Sequence, residues 1–274
     1  MNSRDDPAIR NSMTGSTKSN VTASGAESQA IRKLEDQQVE AFDTEYVDDS
    51  RWQPIRNLIN RDFPDGEFSF LDVGGGNGVF ADRLLSEYPK ATGTVLDNSE
   101  TLLARNVPNS RKQTICSSAE KVASLGRKYD LVFINWVLHH LVGDSYRKSR
   151  QNQLATLQAL RGLLTGRGRV SIYENNYLGW WFPDLPGRLI FELTSSKLLS
   201  PIVGKMGANT AGVGVCFLSK RQWFETVAQA GYQVMEFVEP DSWPWPLRFE
   251  WKLALHLRNI RVGHYWLGSS TNSA

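Results

Sequence analysis

The sequence predicts an α/β protein built on a doubly wound, mainly parallel β-sheet, and three observations favour this class. Apolar runs of strand length alternate with stretches of helical periodicity along the chain. The run at residues 130–137 is almost entirely apolar, as expected for a parallel strand that is buried on both faces. The run at residues 68–73 stops abruptly in a glycine-rich turn, after which a helical pattern begins.

The composition restricts the number of domains and the kinds of partner that we expect. With 274 residues, 41% of them hydrophobic, the chain can bury one sizeable core, and we expect a single domain. The 31 Lys and Arg residues and the 29 Asp and Glu residues are spread along the sequence without a basic stripe. This distribution disfavours a nucleic-acid partner and favours a small-molecule one.

Cysteine usage and hydropathy predict a cytoplasmic protein. Cys116 and Cys216 are too few for a disulfide scaffold and stand in no metal-ligand spacing, so we expect no metal. The longest apolar run, 131–138, is far too short to span a bilayer, and the N-terminus lacks the layout of a signal peptide. We therefore expect a soluble protein without stable membrane insertion.

The elements before the sheet are predicted from composition and periodicity. Residues 1–27 are polar and low in large apolar side chains, which predicts a disordered tail. Residues 28–65 form two predicted helices, at 28–47 and 51–61. Residues 66–175 form the predicted core, with strands at 68–73, 92–96, 113–117, 130–137 and 169–173 and helices between them.

The pattern changes after the fifth strand. Residues 176–216 include Trp180, Trp181 and Phe182 but show no clean period, which predicts a lid or substrate-pocket insertion. Its aromatic side chains either form the core of the lid or wall an apolar acceptor. Residues 217–268 are predicted to hold a helix at 220–230, a strand at 232–238 and an extended run at 249–257. Two strands without a helix between them predict a terminal antiparallel hairpin.

The glycine-rich turn predicts a nucleotide-type ligand. A dinucleotide is bound through Gly-x-Gly-x-x-Gly, and a sulfonium nucleoside through an acidic residue followed by Gly-x-Gly-x-Gly. Asp72, Gly74, Gly76 and Gly78 match the second spacing in full, whereas the first fits only in a frame that starts three residues past the strand. Asp97 ends the second strand, where a carboxylate would bind the ribose of either ligand.

These residues resemble the class I S-adenosylmethionine-dependent methyltransferases, and the triple glycine and Tyr88-Pro89 resemble the small-molecule O-methyltransferases in particular. The resemblance covers about residues 66–175, including the motifs at 71–78, 93–97, 129–132, 136–140 and 163–168. It implies a Rossmann-like sheet of seven strands with the last strand inserted antiparallel. It also implies S-adenosylmethionine as cofactor, with S-adenosylhomocysteine as product.

The resemblance also implies roles for individual residues of the cofactor site. Asp72 and the backbone of Gly74, Gly76 and Gly78 would hold the methionine part, and Asn135 would contact its end. Asp97, with Asn98 beside it, would hold the ribose. The turn containing Ser118 and Ala119 would hold the adenine, although many members carry an acidic residue at this position and this chain does not. Simple helix capping is the alternative role for Ser118.

The same resemblance names a catalytic pair. In the O-methyltransferases of natural-product pathways, the histidine of a Trp-x-x-His stretch removes the acceptor proton and a glutamate after strand five orients it. His139 and Glu174 occupy these places, whereas His140 and Leu141 stand where such enzymes carry an aspartate and a tryptophan. The alternative is that the histidines only pack and hydrogen-bond the loop.

The function expected from the sequence is methyl transfer to a small, partly apolar acceptor, most often at a hydroxyl oxygen. Transfer to carbon, sulfur or nitrogen stays open, since those acceptors do not require a strong base. Two other classes also stay open: an NAD-dependent oxidoreductase, and a cofactor-binding protein without catalysis whose lid serves a partner. The oligomeric state does not follow from the sequence.

Overall fold

The computed structural model describes residue 32 and residues 47–205, 210–240 and 248–269. The predicted tail at 1–27 lies outside the described residues, as does nearly all of the helix predicted at 28–47. In chain order the helices and strands are α1 (Asp49–Asp62), β1 (Ser69–Val73), α2 (Val79–Glu87), β2 (Thr92–Asp97), α3 (Glu100–Leu103), β3 (Lys112–Cys116), β4 (Tyr129–Asn135), α4 (Tyr146–Gly162), β5 (Leu164–Gly179), α5 (Leu185–Ser195), α6 (Ser200–Lys205), α7 (Lys220–Gln229), β6 (Tyr232–Val238), α8 (Phe249–Ala254) and β7 (Leu257–Ser269).

The seven strands form one sheet in the order β3-β2-β1-β4-β5-β7-β6. Strands β1 to β5 are parallel, and β7 is antiparallel to both of its neighbours, β5 and β6. The predicted fold class is therefore confirmed, including the terminal antiparallel pair. Because the first five strands are parallel, their carboxyl ends lie along one edge of the sheet.

Alternate residues of β4 supply the two faces of the core. Leu131 and Phe133 are fully buried against the layer that contains α1 and α2. Val132 and Ile134 are fully buried on the opposite face, against α4 and α7. This strand is covered on both sides, which accounts for its apolar sequence.

Two predicted elements differ from the structure. The fifth strand, predicted at 169–173, runs from Leu164 to Gly179, because its second half pairs with β7 as an antiparallel ribbon beyond the carboxyl edge. The extended run predicted at 249–257 is wrong, since a helix occupies Phe249–Ala254 and the last strand begins at Leu257. The length of β5 is set by its pairing with β7, and the periodicity of the local sequence does not reveal that pairing.

The segment predicted as an insertion contains two helices. It carries α5 and α6 in addition to the end of β5. Ile190 of α5 packs with Tyr177 of β5, with Phe217 and with Leu257 of β7 in a third apolar cluster. This cluster joins the β5–β7 ribbon to the main core next to the carboxyl edge of the sheet. No helix among the described residues is both long and apolar enough to cross a bilayer.

Candidate active site

The glycine-rich turn lies between the end of β1 and the start of α2. Gly74, Gly76 and Gly78 have φ angles of 73°, 48° and 77°, a region that residues with a Cβ rarely adopt. The N–H group of Gly74 donates to the carbonyl of Leu96 at 2.6 Å, which ties the turn to the end of β2. The backbone conformation therefore requires glycine at these three positions.

Gly75 leaves room for the carboxylate of Asp72. A Cβ at Gly75 would overlap Oδ2 of Asp72 and would lie 2.6 Å from its Cγ. Asp72 itself is 2% exposed at the carboxyl end of β1. The absence of a side chain at Gly75 thus lets a buried carboxylate lie directly against the turn.

Asp97 connects the end of β2 to the same turn. Its Oδ2 accepts from the N–H of Gly76 at 3.0 Å, and its Oδ1 accepts from the N–H of Ser99 at 2.8 Å. Burial raises the pKa of the Asp97 carboxyl, although these N–H groups oppose the rise. Asn98, beside it, is exposed. The structure therefore brings Asp97 against the turn and leaves Asn98 at the surface.

Asn106 also holds the turn, and no motif in the sequence marks it. Its Nδ2 donates to the carbonyl of Gly76 at 2.8 Å and to that of Leu103 at 3.1 Å. A Cβ at Gly78 would overlap the Asn106 side chain, which therefore fills the space below the turn. Asn106 lies after α3, far along the chain from the glycines, in a segment without a recognisable motif.

Ser118 and Ala119 follow β3 at the same edge. The N–H of Ser117 donates to the carbonyl of Asp97 at 2.9 Å, which places the start of this turn next to the end of β2. Ser118 precedes a 3₁₀ helix, Ala119–Leu125, but its side chain makes no capping hydrogen bond with it. The capping role considered from the sequence is thus not seen.

Asn135 ends β4, and the residue after it has an unusual backbone conformation. Oδ1 of Asn135 is shielded from solvent and accepts no hydrogen bond from any described residue. Trp136 has a φ of 53°, which is rare for a bulky residue. Its ring stacks on Tyr173 with centroids 5.2 Å apart, and its Nε1 donates to Asn175 Oδ1 at 3.1 Å. These contacts hold Trp136 in place and fix the direction of the chain after Asn135.

His139 and Glu174 lie together at the carboxyl edge, as the sequence predicts. Nδ1 of His139 is 2.8 Å from Oε2 of Glu174, and the backbone N–H of His139 donates to Oε1 at 3.3 Å. Glu174 is fully buried, and His139 is 7% exposed. Two hydrogen bonds from one residue to one carboxylate fix the orientation of the imidazole.

Aromatic side chains surround this pair. Phe217 lies 4.8 Å from the His139 ring between centroids and stacks on Tyr177 at 4.2 Å. His140 lies 4.1 Å from His139, and its pKa is well below its usual value, chiefly because its ring is shielded from water and also because His139 is adjacent. Sequence reasoning missed Phe217 and Tyr177, since neither lies in a motif.

The three consecutive aromatic residues of the insertion are exposed. Trp180, Trp181 and Phe182 are 45%, 78% and 66% exposed. Trp181 and Phe182 pack against the ring of His256, with centroids 5.5 and 5.7 Å from it. The aromatic residue that lies beside His139 is instead Phe217, which stacks on Tyr177.

Comparison with known proteins supports a methyltransferase fold. A family described as a methyltransferase domain matches residues 71–170, the segment from β1 to β5 that carries the turn, Asp97 and His139. This match supports a class I S-adenosylmethionine-dependent methyltransferase fold for the segment. Among the described residues, no group of three or more His, Cys, Asp or Glu side chains is placed to hold a metal ion.

One curated relative is the malonyl-[acyl-carrier protein] O-methyltransferase of Priestia megaterium (strain DSM 319 / IMG 1521). It is 28% identical in an alignment of 162 positions that covers 54% of this chain and 57% of the relative. The chain therefore spans a little over half the length of this relative.

Solved structures of methyltransferases share the fold. A SAM-dependent methyltransferase of Leishmania major has a TM-score of 0.55 at 17% identity, covering 84% of this chain and 76% of the other. The plantazolicin methyltransferase BamL, in complex with a triazolic desmethyl analogue and S-adenosylhomocysteine, has a TM-score of 0.55 at 15% identity, covering 86% and 89% of the two chains.

The residues at the carboxyl edge fit S-adenosylmethionine, the cofactor of this family. The turn places backbone N–H groups and the buried Asp72 carboxylate side by side. Asp97 adds a second carboxylate, from the next strand. Asn135 adds a shielded oxygen that lacks a donor among the described residues, as expected where a ligand supplies one.

Proposed function

We propose that the protein transfers the methyl group of S-adenosylmethionine to a hydroxyl oxygen of a small, partly apolar acceptor. The observation that carries this proposal is the buried pair of His139 and Glu174, whose side chains are 2.8 Å apart. An acceptor hydroxyl must lose a proton as it is methylated, and an oriented imidazole beside a carboxylate is suited to remove it.

The cofactor would be held by the turn at the end of β1. Asp72, Asp97 and Asn135 are its polar contacts in this proposal, with Ser118 and Ala119 beside the adenine. When bound, S-adenosylmethionine supplies a methyl group activated by a positive sulfur. The remaining task of the protein is to align the acceptor and to accept its proton.

The proton would be taken by Nε2 of His139. Because Nδ1 lies 2.8 Å from Oε2 of Glu174, the tautomer that donates from Nδ1 to the carboxylate is favoured. This tautomer leaves the lone pair of Nε2 free to accept the acceptor proton. Glu174 then stabilises the imidazolium that forms, without taking the proton itself.

The aromatic neighbours of His139 favour an acceptor with an apolar part. Phe217 lies beside the imidazole and stacks on Tyr177, and both rings are buried, so the base has apolar surroundings. An acceptor whose hydroxyl is carried by an apolar group would suit these surroundings. The name of the Priestia relative also specifies methyl transfer to oxygen, on a malonyl-carrier protein. A carboxylate acceptor of that kind needs no base.

Replacement of His139 tests the role of the base. Purified protein is incubated with methyl-labelled S-adenosylmethionine and a panel of phenols, hydroxy acids and carboxylic acids, and turnover of the best acceptor is measured. His139→Gln and Glu174→Gln should each lower kcat by roughly 100-fold or more, since positioned bases contribute about 10² to 10⁴. Affinity for S-adenosylhomocysteine should stay close to that of the unmodified protein, because neither side chain belongs to the proposed cofactor contacts.

His264→Gln is the matched control. His264 is also buried and pairs with Ser171 Oγ at 2.9 Å, but it lies in the core between β5 and β7 and not beside Phe217. This variant should keep its turnover. Unchanged turnover in His139→Gln would contradict the base assignment and would favour a carboxylate acceptor or transfer to carbon, sulfur or nitrogen.

A further inference from the structure

A second cavity, separate from the His139 site, lies where the N-terminal ends of α4 and α5 meet. Its volume is about 710 Å³, and its lining includes Tyr146, Arg147, Arg150, Phe182 and Arg188. Neither His139 nor Glu174 lines it. The hydroxyl of Tyr146 donates to the carbonyl of Phe217 at 3.1 Å, so the cavity adjoins the segment before α7 that carries Phe217.

Three arginine side chains line this cavity. The side chains of Arg147, Arg150 and Arg188 form no ion pair or hydrogen bond with any other residue that the structure describes, and Nε of Arg150 is shielded from solvent. Asp184, which also lines the cavity, is instead paired with Arg221.

Guanidinium groups that line one cavity repel each other, and the shielded Nε of Arg150 has no acceptor among the described residues. An anion of phosphate type removes both costs, because guanidinium groups bind phosphate oxygens through paired hydrogen bonds. Glu192 is the other acidic residue in the lining, so the cationic side chains remain in excess. The chemistry of the cavity therefore favours an anionic group.

The rim of the cavity is apolar and protrudes into solvent. Phe182 lines the cavity while 66% exposed, and its neighbour Trp181 is 78% exposed. The backbone N–H groups of both residues donate to Nε2 of His256 at 3.0 Å, which fixes the turn that presents them. Leu253 of α8, whose carbonyl accepts from the N–H of His256 at 3.0 Å, is also 57% exposed. Exposed aromatic residues beside a cationic site are typical of surfaces that bind amphiphiles.

We propose that this cavity binds the phosphate group of an anionic amphiphile, whose apolar part lies against Trp181 and Phe182. The arginine cluster would bind the head group, and the exposed aromatic turn would contact the chain. The site goes beyond the proposed function, because binding there requires neither S-adenosylmethionine nor His139. The amphiphile has two sources, a lipid in a bilayer or a dispersed monomer.

Binding assays on the full chain test the head-group contact. Dodecyl phosphate below its micelle concentration probes the monomer, and vesicles of phosphatidylcholine with or without phosphatidic acid probe the bilayer. Arg147→Gln/Arg188→Gln should weaken binding to either anionic probe by roughly 25-fold, since each basic residue near an anionic surface contributes a factor of about five. Lys90→Gln/Arg127→Gln removes the same charge from exposed sites near the amino-terminal ends of β2 and β4 and should bind as the unmodified protein does.

A second pair of variants tests the apolar contact. Trp181→Ser/Phe182→Ser should weaken the binding of dodecyl phosphate but leave the weaker binding of inorganic phosphate unchanged. Binding to phosphatidic-acid vesicles would identify a bilayer lipid, and binding to dodecyl phosphate alone would identify a monomer. The proposal is overturned if the unmodified protein binds neither probe, or if both charge variants lose affinity equally. Methyl transfer by a protein that fails these assays would leave the proposed function intact.

Discussion

Gly75→Ala tests the steric fit at the centre of the cofactor site. Gly75 does not have the positive φ of its three neighbours, so alanine meets no backbone strain there. The added methyl would overlap Asp72 Oδ2 and would lie 3.0 Å from Cγ1 of Val95. Only a shift of the Asp72 carboxylate can relieve this overlap. Overpacking of this kind costs about 1–3 kcal/mol.

Two measurements follow from that shift. A loss of about 2 kcal/mol in the free energy of unfolding lowers Tm by roughly 4–8 °C in a domain of this size. The displaced carboxylate also loses its proposed charged hydrogen bonds to the cofactor, worth about 1.5–3 kcal/mol. Calorimetric titration should therefore give a Kd for S-adenosylhomocysteine that is roughly tenfold or more above that of the unmodified protein.

Gly162→Ala is the matched control. Gly162 ends α4, and a Cβ there would meet no atom within 4 Å. The control should bind S-adenosylhomocysteine normally and keep or raise Tm, because alanine is the better helix former. If Gly75→Ala bound S-adenosylhomocysteine within twofold of the control, the inference that Asp72 and the turn form the cofactor site would be wrong.

Two further predictions concern Asp97 and His264. Asp97→Asn keeps an acceptor for one N–H group but removes the charge, so calorimetry should show S-adenosylhomocysteine affinity reduced by about tenfold or more; unchanged affinity would remove Asp97 from the site. Burial lowers the pKa of His264 to about 3, so between that value and the usual value of 6.5 the unfolded chain binds a proton that the native state excludes. Stability is therefore lost as pH falls through this range, and His264→Gln should abolish about 1.5 kcal/mol of the decrease in unfolding free energy between pH 6.5 and pH 5. Urea titrations at both pH values measure this difference, and an equal decrease in both proteins would contradict it.

The parts of the site that are local in sequence could be predicted from it. The turn after β1 and the carboxylate that ends β2 lie where the spacing predicts them, and their role in cofactor binding stays a prediction. His139 and Glu174 are 35 positions apart, and only the resemblance implied their pairing. Asn106 and Phe217 reach the site only through tertiary packing, and no local pattern marks them.

The two errors in the predicted fold, at β5 and at α8, also arise where tertiary packing overrides the local sequence pattern. Phe249, Trp251 and Leu253 alternate with polar residues, a period that predicts a strand, yet they lie on a helix. On the helix, Phe249 and Leu253 are four residues apart and share one face, and all three side chains are exposed, by 69%, 38% and 57%. The length of β5 was underestimated because its last residues are ordered by pairing with β7, a strand more than 75 positions further along the chain.

Identification of the methylated atom is the most direct test of methyl transfer to oxygen with His139 as the base. The protein would be incubated with S-adenosylmethionine carrying a carbon-13 methyl group and with a metabolite extract of its native cell, and the labelled product would be isolated for NMR. We expect the label in a methoxy carbon of the product made by the unmodified protein. This product should no longer form with His139→Gln. A label on carbon, sulfur or nitrogen, or no labelled product in any extract, would contradict it.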